Sequence, residues 1–352
     1  MPFTPAQIAI GANYTLETFR KVDPIDQVNY AHETLRWLLA NKEDSIFGNG
    51  FYNEPVYISN DSNYQNYFGA DQVTYNERDP VRWAKFTWYN NHEGFWFDED
   101  RLAANGIILV EDGSEATASK AETQLLQNVL KTAYTSSKRG IQEGLALETL
   151  LDGSANPKAV PGLDYLVSTT PAAGTPGGLA ASSAWWQNNV ALGINSATAG
   201  ALIAAMDSVW DACTRYGGMT PDFIVAGQAF RNAYRTQAGL TINRQIHDSG
   251  VQSGGVTMDL AVTDVFYRGI KVIWDPTFEA LDAKLGAITY PWTKRCYFLN
   301  SRTIKFRPVT GAWMTNRRPR RLPDRYVHYF ANTSKYGFSI NKRNANGLVT
   351  IA

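Results

Sequence analysis

The feature that most restricts the fold of this chain is a long helical pattern between residues 114 and 150. Apolar residues recur there at three- and four-residue spacing, which is the period of one face of an α-helix. Ser119 and Glu122 stand at the spacing of a capping box, and Gly153 and Pro157 end the pattern. Such a helix would span about 40–50 Å, which is too long for a small globule and suits the spine of an extended subunit.

Two glycines weaken the C-terminal part of this predicted helix. Gly140 and Gly144 each cost about 1 kcal/mol relative to alanine in a helix interior, so the pattern allows a break near residue 140. The stretch 152–187 that follows is rich in Gly, Pro, Ala and Ser, and it is predicted as the domain boundary.

Shorter patterns on both sides of the boundary predict an α+β class. A short amphipathic helix is predicted over 26–40, and helices are predicted over 196–216 and 228–237. Apolar runs predict strands over 222–226, 260–267, 270–274, 295–299 and 303–307, with further extended runs in 326–351.

Aromatic residues flank the turn-rich connector Asn90–Gly94 and predict a β-hairpin. Its strands would lie over 81–88 and 94–98. An isolated hairpin is marginal in water, so its aromatic side chains must lie against other protein surface. The candidate contact residues on it are Trp83, Lys85, Phe86, Trp88, Phe95 and Phe97.

Composition and motifs exclude several function classes. The 44% hydrophobic content excludes a disordered chain, and a mean hydropathy of −0.30 argues against an integral membrane protein. Cys213 and Cys296 are too few for a disulfide framework, and the four histidines lack metal-ligand spacing. No nucleotide or nucleophile motif is present. The sequence therefore predicts no catalytic, cofactor or metal site, no membrane partner, and a protein that is not an enzyme.

Two clusters leave an alternative open. The acids at 98–100 could form an acid/base or calcium site, but a solvated turn is favoured because no partner motif accompanies them. The pair Trp185–Trp186 could stack on a sugar, although core or interface packing is more common for such pairs. A carbohydrate-active enzyme is thus an alternative function.

Charge is distributed unevenly along the chain, although 33 basic and 33 acidic residues balance overall. Residues 1–112 hold 8 Lys+Arg and 17 Asp+Glu, whereas residues 301–352 hold 11 Lys+Arg and a single acid, Asp324. A monomer gains nothing obvious from this gradient, but copies that overlap one another could attract through it.

The basic end contains an arginine cluster between residues 317 and 325. Its members are Arg317, Arg318, Arg320, Arg321 and Arg325. Pairing with the acids of another copy is the favoured interpretation. Contact with nucleic acid and a solvated surface are the alternatives, and the first of these is weakened because no aromatic residues interleave the cluster.

Several segments, taken in their order along the chain, carry a resemblance to one family. They are VRWAKFTWYNNHEGFWFDEDRLAANG (81–106), GLDYLV (162–167), WWQN (185–188), TPDFIVAGQAFRNAY (220–234), YRGIKVIWDP (267–276) and CYFLNSRTIKF (296–306). Together with the acidic N-terminal segment and the long helix, this order resembles the major capsid protein of tailed bacteriophages, which has the HK97-type shell fold. The ordered set covers most of the chain, and no single segment is diagnostic.

The resemblance implies a domain plan. Residues 1–50 would form an N-terminal arm and 51–103 an extended β-hairpin loop. The peripheral domain, with its spine helix, would combine 104–155 with 300–352, and the axial α/β domain would comprise 156–299.

The resemblance also implies function and partners. The chain would assemble with itself, as hexamers and pentamers, into an icosahedral shell around phage double-stranded DNA held non-specifically. A portal and a separate scaffolding protein are expected partners, and a decoration protein is an optional one. The chain would be located in the virion after assembly in the bacterial cytoplasm. An encapsulin-like nanocompartment shell is a second alternative.

Some members of this family cross-link neighbouring subunits through a lysine of the extended loop. Lys85 is the only lysine between 51 and 103. We do not expect a cross-link here, because no residue could be assigned as the acid that the reaction needs.

Overall fold

Helices and strands are interspersed along the chain, which confirms the predicted α+β class. The computed structural model describes residues 31–45, 50–98, 100, 120–241, 265–317 and 327–352. The helices are α1 (Glu33–Ala40), α2 (Lys120–Leu150), α3 (Leu163–Leu166), α4 (Ala201–Thr214), α5 (Gln228–Thr241) and α6 (Thr277–Leu285). The strands are β1 (Phe51–Tyr57), β2 (Val81–Thr87), β3 (Tyr89–Asp98), β4 (Asn189–Ile194), β5 (Phe223–Ala226), β6 (Phe266–Tyr267), β7 (Ile270–Trp274), β8 (Arg295–Leu299), β9 (Ile304–Pro308), β10 (Thr315–Arg317), β11 (Val327–Ile340) and β12 (Gly347–Ile351).

Contacts group the described residues into two units. The large unit comprises 31–89, 146–308 and 336–352, and the small unit comprises described residues of 90–145 and 309–335. This division cuts the predicted peripheral segment 300–352 at two points, so it does not coincide with the predicted domain boundaries. The assignment of arm, extended loop, peripheral domain and axial domain stays a prediction.

A six-stranded mixed sheet forms the centre of the large unit, in the order β4-β12-β8-β5-β7-β6. Strand β12 pairs in parallel with β4 and antiparallel with β8, while β5 pairs antiparallel with β8 and in parallel with β7. All residues of β5, β8 and β12 are buried. Strands buried along their whole length must be covered on both faces, because successive side chains point to opposite sides.

Different helices cover the two faces of this sheet. Cys296 and Phe298 of β8 belong to the core cluster that α4 and α5 complete with Met206, Trp210, Phe230 and Tyr234. On the other face, Tyr297 contacts Phe278 of α6, and Phe223 of β5 stacks on Trp37 of α1 at 4.7 Å between ring centroids. The sheet is therefore the middle layer of three.

Helix α1 begins at Glu33, whereas the sequence predicted a start at 26. Residues 26–30 lie outside the described residues, and residues 31 and 32 are not helical. The start is set by a distant residue, because the buried carboxylate of Asp275 accepts the backbone N–H of Thr34 at 2.9 Å. Its other oxygen accepts the N–H of Thr277 at 2.9 Å, so one carboxylate caps both α1 and α6.

Helix α2 runs without a break over 31 residues. The predicted residues 114–119 lie outside the described part, and the helix continues past Gly140 and Gly144. Ile141, Leu145 and Leu150 are buried. Their packing offsets the cost of the two glycines, since tertiary contacts provide most helical stability in proteins.

The predicted hairpin between 81–88 and 94–98 is wrong in its pairing. Strand β2 pairs antiparallel with β1, and β3 lies beside β11 in a sheet of order β10-β11-β3. The predicted turn Asn90–Gly94 is part of β3. Local patterns mark strands, but they do not specify which other strand each one pairs with. Strands β1 and β2 pair although the long segment 58–80 separates them in the chain.

Other patterns match with shifted ends. Strands β5, β7, β8 and β9 lie within one residue of their predicted positions, and α4 is shorter while α5 is longer than predicted. Strand β4 and helix α6 were not predicted. Of the predicted strand 260–267, the structure describes only 265–267. None of the helices in the described ranges has both the length and the apolar character that crossing a membrane requires.

A buried arginine joins its own turn to two other segments of the large unit. Arg343 has no solvent exposure, and its guanidinium donates to Leu166 O at 2.9 Å, Trp186 O at 2.7 Å and Asn188 Oδ1 at 3.0 Å. Desolvation lowers the pKa of Arg343 to about 10, which leaves it charged at neutral pH. The dipoles of these three acceptors, none of which is a carboxylate, stabilise the charge.

We predict that Arg343→Leu destabilises the protein by about 3 kcal/mol or more, because it leaves three buried acceptors without donors. The matched control is Arg302→Leu, since Arg302 is exposed; it should change stability by less than about 0.5 kcal/mol. Denaturant unfolding followed by tryptophan fluorescence measures both. Equal effects of the two substitutions would contradict the assigned role of Arg343.

Both thiols lie in the core. Cys213 and Cys296 are fully buried, and burial raises the pKa of Cys213 to about 12 and also raises that of Cys296. The pKa of each folded thiol lies above that of an unfolded cysteine, which is about 8.5. The preference of the folded state for the protonated thiol therefore contributes fully to stability below the unfolded pKa. It is lost as the pH rises toward the folded value.

We predict that neither cysteine of the native protein reacts with N-ethylmaleimide at neutral pH. Unfolding in guanidinium should expose both thiols and allow full modification, because reaction needs an accessible thiolate. Mass spectrometry before and after denaturation counts the adducts. Rapid modification of the native chain would show that the core opens at these positions.

Candidate assembly surface

The β1–β2 hairpin presents two chemically different faces. Its register pairs Pro55 with Trp83 and Asn53 with Lys85 on one face. The opposite face carries the residues that are buried or half-buried. They are Tyr52, Glu54, Val56, Ala84 and Phe86. Because side chains alternate along a strand, the register alone decides which aromatic residues reach solvent.

The inner face packs against the large unit itself. Ala84 is fully buried, and Phe86 is 8% exposed. Both lie against the short helical turn at Gly177, where an added Cβ would be 2.8 Å from Ala84 Cβ and 3.0 Å from Phe86 Cζ. Gly177 also has a φ of +65°, so glycine is required there for two reasons.

Trp88 continues this internal packing just beyond β2. Its ring lies 4.6 Å from that of Tyr52. The indole N–H is buried, with no hydrogen-bond partner among the described residues. Phe86 and Trp88, which the sequence placed among the inter-subunit contacts, therefore contribute to the folding of their own subunit.

The outer face of the hairpin is open to solvent. Trp83 is 56% exposed. Lys85 lies 5.5 Å from the ring centroid of Phe51, within range of a cation–π contact. The structure thus divides the predicted residues of this hairpin, and Trp83 and Lys85 are the two that face outward.

The loop 58–80 joins the strands and exposes aromatic side chains that the sequence analysis did not single out. Tyr64, Tyr67, Phe68 and Tyr75 are 70–91% exposed. Single exposed apolar residues are common, but a concentration of them marks an interaction surface. We call the outer face of the hairpin and this loop the aromatic hairpin surface.

Side chains, rather than regular secondary structure, hold this loop in shape. Asn76 donates to Asp61 O at 2.9 Å, and Asn63 donates to Thr74 O. The Ser59 hydroxyl donates to the Asp61 carboxylate at 2.5 Å and is the main cause of the lowered pKa of Asp61. The abundance of Asn in the segment was the sequence signal for this structure, since Asn and Asp side chains stabilise turns.

The loop is also acidic. It contains Asp61, Asp71, Glu77 and Asp79 against the single cation Arg78. A surface that is both aromatic and negative fits a partner that is apolar and basic.

The predicted residues on β3 lie in the small unit. The Phe95 and Phe330 rings stack with centroids 5.4 Å apart, and Phe97 is buried with its ring edge toward Phe330 at 6.3 Å. Phe97 therefore packs within its own unit. Trp96, which lies between Phe95 and Phe97 in sequence, is 49% exposed and was not predicted as a contact residue.

The arginine cluster is described only at its first member. Arg317 ends β10, is exposed, and donates from Nε to Thr333 Oγ1 at 3.2 Å. Arg318, Arg320, Arg321 and Arg325 lie outside the described residues. Their predicted role in assembly stays a prediction.

Part of the charge gradient is used inside the chain, contrary to the expectation that a monomer gains nothing from it. Arg307 Nη2 lies 2.5 Å from Glu54 Oε1 and 3.4 Å from Glu43 Oε2. Lys305 Nζ lies 4.0 Å from Glu43 Oε2. Acids of the first third of the chain thus pair with cations of the last third in the same large unit.

The described residues of the two clusters that suggested a carbohydrate-active enzyme do not support a sugar or metal site. Trp186 has no solvent exposure and donates its indole N–H to Pro176 O at 2.9 Å, so its ring is not open to a sugar. Within the described residues, no group of three or more His, Cys, Asp or Glu side chains is arranged to hold a metal ion. Asp98 and Asp100 are described, and Glu99 is not.

Comparison with solved structures identifies the fold. A chain of the cyanophage A-1(L) capsid asymmetric unit aligns over 94% of this chain and 95% of its own, with a TM-score of 0.62 and 13% identity. The fold is that of an HK97-like capsid subunit. The capsid of a native GTA particle, at TM-score 0.51 and 12% identity, covers 94% of this chain and 95% of its own. A structure from Mycobacterium phage Bobi, at 0.53 and 12%, covers 93% and 96%. No protein-family model matches the sequence, and a search of curated proteins found no relative.

We predict that Trp83→Ala and Phe86→Ala differ strongly in their effect on the subunit. Phe86→Ala should cost about 3–5 kcal/mol, as expected for a buried aromatic, whereas Trp83→Ala should cost less than about 1 kcal/mol because the ring is half exposed. Unfolding curves of the unassembled subunit measure both. Similar losses for the two substitutions would contradict the assignment of inner and outer faces.

Proposed function

We propose that this chain is the major capsid protein of a tailed phage, a structural protein that assembles into an icosahedral head shell around double-stranded DNA. The observation that carries the proposal is the HK97-like capsid fold over nearly the whole chain. The aromatic hairpin surface supports it independently, because a large exposed apolar area needs a partner.

The proposed mechanism is geometric. Many copies of one chain tile a closed surface as hexamers and pentamers, and each extended hairpin covers part of a neighbouring copy. Full burial of one aromatic side chain contributes roughly 1.5–3 kcal/mol. Because each contact is weak, a misplaced subunit can dissociate, while the repetition of contacts stabilises the closed shell.

The proposed partners follow from this role. The chain binds itself first of all, and a portal and a separate scaffolding protein take part in assembly. DNA is held non-specifically inside, and a decoration protein is an optional partner outside. Assembly takes place in the bacterial cytoplasm, and the finished protein belongs to the virion. No catalytic role is proposed.

Expression of the full chain, followed by size-exclusion chromatography and electron microscopy, tests the proposal. We expect closed megadalton particles, with or without a co-expressed scaffolding protein. A stable 39 kDa species under both conditions would contradict it, and glycosidase activity of that species would favour the enzyme alternative. If purified particles contain an enzyme in place of DNA, the encapsulin-like alternative is favoured.

We also predict that electrostatic attraction between copies makes assembly sensitive to salt. Raising the salt concentration should lower particle yield before it unfolds the subunit, because exposed charges are screened within about 10 Å at 0.1 M. The quadruple variant Arg317→Ala, Arg318→Ala, Arg320→Ala, Arg321→Ala should lower the yield and weaken the salt dependence. Light scattering at several salt concentrations measures both.

The matched control removes four exposed cations elsewhere in the chain. They are Arg215, Arg235, Lys284 and Arg302. This variant has the same net charge as the first, and it should keep most of the salt dependence. If the arginine-cluster variant matches wild-type yield and salt tolerance, the proposed charge pairing is wrong.

A further inference from the structure

We infer that Arg307 is a positioning residue that sets the direction of the β1–β2 hairpin before any neighbouring subunit binds. The inference rests on the proposed function, since it concerns how the aromatic hairpin surface is presented. It also makes a separate statement about the isolated subunit, which is testable without a shell.

The guanidinium of Arg307 joins the hairpin to the strands beneath it. Arg307 lies on β9 and its Nη2 contacts Glu54 of β1 at 2.5 Å. Its Nε donates to Ser339 Oγ of β11 at 2.8 Å, and its Cζ lies 5.5 Å from the ring centroid of Tyr52. Glu43, which follows α1, contacts it at 3.4 Å. One side chain of β9 therefore contacts three other segments of the large unit.

This ion pair is shielded from solvent. The side chains of Arg307 and Glu54 are 15% and 12% exposed, whereas Glu43 is 51% exposed. A shielded pair is screened little by salt, and removal of one partner leaves an uncompensated charge at high cost. Arg307 also has a fixed planar fork, which restricts the angle between the groups that it binds.

A second set of contacts places the base of the hairpin directly on β11. The Tyr52 hydroxyl donates to Phe338 O, and burial raises the pKa of Tyr52, which keeps it a neutral donor. At Gly337 an added Cβ would lie 2.9 Å from Thr87 O and 3.1 Å from the Tyr52 hydroxyl oxygen. Both strands of the hairpin thus approach β11 more closely than a larger residue at position 337 would permit.

The opposite end of the hairpin has a different character. The residues of 64–80 are exposed except for Pro80, and the loop forms hydrogen bonds among residues of 57–82. The orientation of the loop is therefore determined at its base. A surface held in its binding orientation loses less conformational freedom on association, so Arg307 would favour assembly without contacting the neighbour.

Distance measurements between spin labels test this inference directly. Labels at Ser62→Cys in the loop and Ser208→Cys on α4 report the hairpin direction, because both positions are exposed and belong to the large unit. The buried native cysteines should remain unlabelled. Wild-type subunits, diluted among unlabelled ones, should give one narrow distance distribution. Arg307→Met should broaden it and lower particle yield about tenfold at fixed subunit concentration, a factor that corresponds to about 1.4 kcal/mol.

Two further variants keep the test decisive. Arg307→Lys retains the charge, so it should fold even where Arg307→Met does not, but one ammonium group cannot hold Glu54 and Ser339 in the same geometry. We expect an intermediate width and yield. Arg82→Met is the matched control, because Arg82 forms an exposed pair with Asp79 within the hairpin segment, and it should behave as wild type.

The outcomes separate the two claims. A broad distribution in wild type, or a narrow one together with normal yield in Arg307→Lys, would overturn the positioning role. If the distances change as expected while wild-type chains never form particles, the positioning role stands and the proposed shell function fails.

Discussion

The large unit depends on strand β12 (Gly347–Ile351). Strand β12 lies between β4 and β8, and every one of its residues is buried. It pairs with β4, whose residues lie more than 150 positions earlier in the chain, as in the pair Gly347 and Asn189. The two layers of helices pack against a sheet that is incomplete without it. Pairing over such sequence separations tends to be slow.

Local sequence patterns predicted what depends on local physics. The period of apolar residues marked α2, and continuous apolar runs marked β5, β7 and β8, because a helix face or a buried strand shows its burial in its own residues. The α+β class followed from these elements, whereas the HK97-like fold was expected from a family resemblance. Strand β4 was missed because it directly follows the stretch 152–187, which is rich in glycine and small residues. Helix α6 was missed because its nine residues are too few for a clear period.

Non-local contacts could not be predicted in the same way. The sequence contained the aromatic strands, but nothing in 81–98 indicates that β2 pairs with β1 and not with β3. That register decides that Trp83 faces solvent and Phe86 faces Gly177. The start of α1 depends on Asp275, which lies 241 residues from Thr34. Arg307 was counted only as one of many basic residues, because the acids that it pairs with, Glu43 and Glu54, are distant in sequence.

The β1–β2 hairpin behaves mechanically as a lever. Each of its strands has seven residues, which at about 3.3 Å per residue gives an arm of about 23 Å. A tilt of about 10° at the base would move the far end by about 4 Å, close to the spacing of neighbouring strands. If the base of the hairpin were held less firmly, the loop would therefore shift by nearly the spacing of one strand. Glu54, where Arg307 holds β1, lies about 10 Å from the base, so the same tilt moves it by only about 2 Å. A small displacement at this ion pair is therefore about doubled at the end of the strands.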